Sequence, residues 1–309
     1  MSTKFEALKS RTTRFQILPL DQESYLNLDN VKAFTQYLVE LINGSVLIDH
    51  TITIRDRKLP LNHPGFKNKR FQMSSLEEAF NGYWWNKEGY KENANKLKKV
   101  QEIVRNAMKV NSASMTLDAL REVLAWGAGG TGQRLYTANL AWAIRQKNLL
   151  NKSLRMACTV MSSKSPDLRV FKPTKTATYA RMNAGFTKYY ALACDDVIIY
   201  DGRVGAALGL LAKGFCRRQG IKKLPEELSF RWGAQNGMHP LNRNPSDVNY
   251  TFLKLPAEGA VWAEWNMKAN WILTTALKYT KADWCNGSDG LRKIEAALFV
   301  IGYSIVPSD

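Results

Sequence analysis

Asp201 is the residue of this 309-residue chain whose setting most favours chemistry. It follows a short apolar run, Val197, Ile198, Ile199 and Tyr200, and it precedes Gly202 and Arg203. Beyond it, Val204, Ala207, Leu208 and Leu211 fall at i, i+3, i+4 and i+7, the spacing of one buried helical face. The pattern predicts a helix opening at Gly202 with Asp201 as its N-cap. A carboxylate that accepts backbone N–H bonds is favoured in its charged form. Such a group is a rigidly held anion at a helix mouth, suited to stabilising positive charge or orienting a water. A plain structural cap satisfies the same pattern.

Other reactive sets are sparse. Cys158, Cys194, Cys216 and Cys285 are scattered, with no C-x-x-C spacing for zinc or an iron–sulfur cluster. No metal or other cofactor is therefore expected. The histidines, His50, His63 and His239, are too dispersed for a metal site or a serine triad. Asp195, Asp196 and Asp201 form the one acidic set that suits a divalent ion, as a metal-dependent nuclease would need. Gly127, Gly129 and Gly132 fit G-x-G-x-x-G, but the stretch before them reads as a helix and no acid stands about 20 residues later. A nucleotide cofactor is not expected there. The glycines read instead as a turn between two helices, whose amides can approach a phosphate.

The surrounding chain is basic. Lys and Arg number 44 against 27 Asp and Glu, for a net charge of +17 and a pI near 9.7. That excess predicts a polyanionic partner. Within residues 160–225 the only acids are Asp167, Asp195, Asp196 and Asp201. The bases there include Lys172, Lys175, Arg181, Lys188, Arg203, Lys213, Arg217, Arg218, Lys222 and Lys223. A basic zone around one held carboxylate suits work on a nucleic acid. Apolar content of 45% and aromatic content of 11% describe a globular chain. No apolar run approaches the ~20 residues of a bilayer span, so no membrane partner is expected. The start, M-S-T-K-F-E-A-L-K, lacks the apolar core of a signal peptide, and the unpaired cysteines suit a reducing cytoplasm.

The elements that must position Asp201 are mainly helical. Residues 31–43 read as an amphipathic helix, 46–54 as a strand, and 76–83 and 90–110 as helices. Lys91, Lys96, Lys98 and Lys99 on the last suit a solvated face. Residues 117–126, 134–147 and 262–273 are also expected to be helical. Residues 1–110 read as one mostly helical lobe with a small β element, and 111–309 as a second. Residues 231–246 read as a polar loop with Gly and Pro, the kind of segment that carries recognition.

Residues 183–209, beginning N-A-G-F-T-K-Y-Y-A-L, resemble the active-site region of the helix-hairpin-helix DNA glycosylases, especially the 8-oxoguanine glycosylase type. The clear resemblance covers residues 175–215. The family's hairpin usually reads G-V-G, where this chain has Asn183, Ala184 and Gly185, and the Lys188–Asp201 spacing is shorter. The resemblance implies a mainly α, helix-hairpin-helix fold of two helical lobes. It implies that Asp201 is the essential aspartate and that Lys188 lies near the lysine some members use as a nucleophile. It implies double-stranded DNA as partner, held by Lys172, Lys175, Arg181, Asn183, Gly185, Thr187, Arg203, Arg217 and Arg218. The extruded base would then meet Trp232, Gln235, Asn236, His239, Arg243 and Trp265. Trp262 and Trp271 suit core positions, and the Trp84–Trp85 pair reads either way. The implied activity is hydrolysis of an N-glycosidic bond, leaving an abasic site. In layout the chain looks most like a bacterial phage-defence glycosylase, which implies glucosylated hydroxymethylcytosine in phage DNA as substrate. Repair of oxidised guanine is the alternative, and a DNA-binding module without catalysis is another.

Overall fold

The computed structural model describes residues 20–129, 132–173, 179–235 and 240–305. Lys175, Asn236 and His239 lie outside the described residues. The chain is mainly helical with one small sheet. In order it forms α1 (Gln22–Leu26), α2 (Asp29–Ile42), β1 (His50–Thr53), β2 (Arg70–Met73), α3 (Leu76–Asn81), α4 (Tyr90–Val110), α5 (Ala113–Ala128), α6 (Gln133–Gln146) and α7 (Leu150–Met161). Then come α8 (Phe186–Ala193), α9 (Gly202–Arg218), α10 (Gly259–Tyr279) and α11 (Gly290–Ile301). β1 and β2 pair antiparallel, with Ile52 opposite Phe71.

Local sequence explains the ends that matter. Ser75 caps α3 by accepting from Glu78 N, while the Glu78 carboxylate accepts from Ser74 N, close to a reciprocal capping box. Ser112 caps α5, and Gly129, at φ +53°, closes it in the left-handed conformation. Residues 86 and 87 both take positive φ, and Trp85 and Glu88 exchange backbone hydrogen bonds across them. This tight turn has the backbone of a primed hairpin turn.

A division at residue 110 finds no break in packing. α2 lies on α10, α3 on α11, and α4 on both α5 and α8. The Phe34 ring of α2 meets Phe215 of α9 edge-on at 5.6 Å and Phe230 at 5.9 Å. The first 110 residues thus share one apolar core with the rest, because the buried face of α2 packs on α9 and α10 as well as on α1 and α3.

The hairpin region also departs from expectation. Among the described residues no α-helix leads directly into the turn at residues 183–185. A single 3-10 turn, Leu168–Phe171, lies upstream, bounded by Pro166 and Pro173, which lack the N–H a helix interior requires.

His50 and His63 are buried and hold the small sheet in place. His50 Nε2 donates to Ile301 O at 2.9 Å, tying β1 to α11. His63 Nε2 donates to Gly82 O at 2.8 Å while its Nδ1 accepts from Gly65 N at 2.9 Å, so the ring must be neutral. Burial lowers both pKa values. Below pH ~6.5 the unfolded chain therefore binds more protons than the native one, and stability falls on acidification. Urea midpoints measured between pH 7.5 and 5.5 are expected to drop, and more steeply in wild type than in His63→Gln. Equal slopes would show that His63 does not couple folding to protons.

Candidate active site

Asp201 occupies the N-cap of α9. Its Oδ1 accepts from Arg203 N at 2.9 Å and Val204 N at 3.1 Å. Among the described residues its Oδ2 accepts no hydrogen bond. Val204, Ala207, Leu208 and Leu211 behind it are all buried, as the helical spacing predicts.

Lys188, on the first turn of α8, shares a cleft with Asp201. The cleft measures about 390 Å³ to its open mouth and is walled by Tyr83, Trp85, Trp126, Val204 and Phe299, with Glu295 among its lining residues. Lys188 is almost wholly buried, and its Nζ donates to Ala184 O at 2.7 Å. Burial lowers the pKa of this amine; the Asp201 charge pulls it the other way, by less. A desolvated lysine of this kind holds more neutral, nucleophilic amine near neutral pH than an exposed one.

The aromatic wall is braced by a chain of hydrogen bonds. Trp85 Nε1 donates to Trp126 O at 3.2 Å, Trp126 Nε1 to Asn93 Oδ1 at 2.9 Å, and Asn93 Nδ2 to Tyr83 Oη at 2.7 Å. Trp85 and Trp126 sit 5.9 Å apart, and Trp85 meets Phe299 edge-on at 5.7 Å. The ambiguous tryptophan pair thus divides. Successive residues of an extended chain face opposite ways, and Trp84 enters the core while Trp85 lines the cleft.

Glu295 was not singled out by sequence reasoning. Its Oε2 accepts from Ile199 N at 2.7 Å and pairs with Arg292. Burial raises its pKa. Glu295 and Phe299 stand four residues apart on α11, so one helical face presents both. The only local signal was the Arg292–Glu295 spacing; the partners at Ile199 and Lys188 are far away in sequence.

The G-x-G-x-x-G stretch borders this site, at the end of α5. A Cβ on Gly127 would fall 2.5 Å from Lys188 Cδ, so the glycine leaves the lysine its path. A Cβ on Gly129 would fall 2.8 Å from the Trp85 ring, and its positive φ suits glycine in any case.

Several expected contacts are placed elsewhere. Thr187 is fully buried and bonds only to protein groups, so it does not meet a phosphate. Gly185 is buried and its N–H donates to Asn183 Oδ1 at 2.9 Å; a side chain there would strike Asn139. Asn183 spends its amide group on Asn139 and on capping α8 through Gly185 N and Phe186 N. Arg217 and Arg218 are exposed but at the far end of the 17-residue α9, about 24 Å from Asp201. Arg217 also pairs with Asp247 at 2.7 Å. Lys172 and Arg181 are half-buried; the Arg181 pKa is lowered by burial and by nearby Arg145.

The residues expected to meet the base fare similarly. Trp232 is buried, and its Nε1 donates to Phe252 O at 2.9 Å. Trp265 is buried edge-on to Phe230 at 5.5 Å. Both are core residues, since each ring is buried against protein groups. Gln235 accepts from Leu241 N and shapes its own loop. That loop does pass the site, since Gly233 N donates to Gly202 O at 3.2 Å.

Arg203 and Arg243 flank the carboxylate. The Arg203 guanidinium lies 4.1 Å from the Phe299 ring centroid and 4.8 Å from that of Tyr303, a cation–π pairing. Arg243 is buried, and its Nε donates to Tyr303 O at 3.3 Å. Burial and the nearby Arg203 charge push its pKa down to about 10, against the pull of Asp201. Their other guanidinium nitrogens make no hydrogen bond among the described residues.

The acidic trio does not assemble. Asp195 is 85% exposed and pairs with Arg105 at 2.6 Å. Among the described residues no three His, Cys, Asp or Glu side chains stand close enough to share a metal ion, and no helix is long and apolar enough to cross a membrane. The four cysteines are free thiols. No protein-family model, curated protein or solved structure matches this chain, so the cleft around Asp201 and Lys188 is read from its own geometry.

Proposed function

We propose that the chain is a DNA glycosylase, of the helix-hairpin-helix kind that residues 175–215 resemble. The observation that carries this reading is the meeting of a capped carboxylate, Asp201, and a desolvated amine, Lys188, in one aromatic-walled cleft. Base excision needs each part. An extruded base requires flat apolar faces, which Trp85, Trp126 and Phe299 supply. The sugar left behind becomes oxocarbenium-like, and a fixed carboxylate stabilises that charge. Arg203 and Arg243 stand beside it and set positive charge near the carboxylate. The overall charge of +17 suits duplex DNA.

In the hydrolytic route Asp201 orients a water that attacks the sugar, and the base departs with the bonding electron pair. In the amine route the Lys188 nitrogen attacks the same sugar carbon, and the base departs with the bonding electron pair. Loss of the amine protons with opening of the sugar ring C–O bond, whose oxygen takes up a proton, then gives a Schiff base. Glu295, in the same cleft, can accept a hydrogen bond from the exocyclic amino group that cytosine, guanine and adenine each carry.

Glucosylated hydroxymethylcytosine in phage DNA is the first substrate to test, in keeping with an antiviral role. The narrowness of the cleft favours a second reading. Its volume of about 390 Å³ includes the open mouth, so the enclosed part is smaller. Any base must part the rings, and oxidised guanine needs less opening than a base bearing a sugar.

The test is base release from duplexes carrying each modification, with unmodified DNA alongside, in a chelator. Release of one modified base and not of cytosine or guanine is the expected result. Borohydride then reports the route, because it traps protein on DNA only if Lys188 forms the Schiff base. No release from any duplex, with DNA still bound, would leave a binding protein whose Asp201 is only a cap. Activity lost to the chelator would point to a nuclease.

A further inference from the structure

Residues 198–200, the extended run that delivers Asp201, belong to no sheet, yet five of their six polar backbone atoms are taken up by side chains. Ile198 N donates to Asn270 Oδ1 at 3.0 Å, and Ile198 O accepts from Asn266 Nδ2 at 3.2 Å. Ile199 N donates to Glu295 Oε2. Tyr200 N donates to Thr187 Oγ1 at 2.9 Å, and Tyr200 O accepts from Trp262 Nε1 at 2.8 Å. Asn266 also donates to Asn270 at 3.1 Å, so α10 presents the pair as one fixed unit.

Thr187 holds a singular place in this set. Its hydroxyl accepts from Tyr200 N and donates to Asn266 Oδ1 at 2.8 Å, which uses its one proton. Tyr200 directly precedes Asp201, and Thr187 directly precedes Lys188. One fully buried hydroxyl therefore joins the two chain segments one residue upstream of each reacting group.

We propose that Thr187 is a positioning residue: its hydroxyl sets the Lys188 amine against the Asp201 carboxylate. Removing the hydroxyl strands Tyr200 N without a partner, and the run must shift to find one. The carboxylate then moves relative to the amine. Lys188 keeps its burial and loses part of the opposing charge. A purely packing role would alter stability and leave that charge relation as it is.

The test needs no DNA, so its failure is distinguishable from failure of the glycosylase reading on which its interest rests. Lys188 is labelled by formaldehyde and cyanoborohydride under single-hit conditions, and the labelled peptide is followed by mass spectrometry across pH. In Thr187→Val the midpoint of Lys188 labelling is expected to fall by about one pH unit, the scale of a weakened opposite charge. In Thr187→Ser, which restores the hydroxyl, it is expected to return to the wild-type value. Thr187→Cys, similar in size and weak in hydrogen bonding, replaces the valine variant if that one does not fold, with the same direction expected. An unmoved midpoint in a folded valine or cysteine variant overturns the proposal, as does a serine variant that behaves like valine.

Discussion

Asp201→Asn is expected to reduce base release by about 10²–10³-fold or more, the scale of losing one preorganised electrostatic stabiliser, while fold and DNA affinity persist. The separation follows from the two oxygens of the side chain. Oδ1 is committed to Arg203 N and Val204 N. Asparagine keeps an oxygen for those bonds and caps about as well as aspartate, so helix stability should change by a few tenths of a kcal/mol. What disappears is the charge. An amide cannot balance a developing oxocarbenium ion, nor can it take a proton from water. DNA affinity should hold or rise slightly, because a negative group has left a basic surface. Release assays, thermal melts and binding titrations on one preparation check all three. Undiminished release from a folded variant would reduce Asp201 to a cap.

Gly127→Ala is expected to be as stable as wild type or more so, and about 10²-fold slower. Alanine in place of glycine favours a helix by roughly 1 kcal/mol, and Gly127 lies within α5. The new methyl, however, would stand 2.5 Å from Lys188 Cδ and 3.0 Å from its Cε. Those atoms belong to a flexible chain, so the lysine yields and the fold does not. The amine is carried away from its place, and a misplacement of about 1 Å in a reacting group can cost about 10²-fold. Melting temperature, release rate and borohydride trapping together give the reading. A stable variant with full activity would remove Lys188 from the reaction.

What could be read in advance followed the local rules. The 3.6-residue period and an acid before Gly202 were enough for α9 and its cap, and α4 falls on the residues its pattern outlines. Lys188 and Asp201 were legible as a pair because both stand in one continuous motif. The walls of their cleft were not. Trp85 and Trp126 come from separate segments, and Glu295 lies on the last described helix. Only tertiary packing brings them to α8. Nothing local to Trp232 or Trp265 distinguishes a core ring from a pocket ring, since both settings take the same residue type. Thr187 and Gly185 misled for a related reason. Their types suit a phosphate loop, but here the asparagines at 139, 183 and 266 take the bonds that a phosphate would have offered. Gly127 was the converse: a glycine pattern read as a turn, whose neighbour is a side chain more than sixty residues on.

The cap on α9 has a consequence for how such chains diverge. Natural selection for a folded protein alone would accept Ser, Thr or Asn where Asp201 stands, since each can close the helix. Selection for the chemistry accepts far less. Under the proposed activity, a descendant would lose base excision in a single nucleotide change while its fold passed to the next generation intact. Under that proposal, the identity of that one residue would separate lineages that excise a base from lineages that keep only the fold.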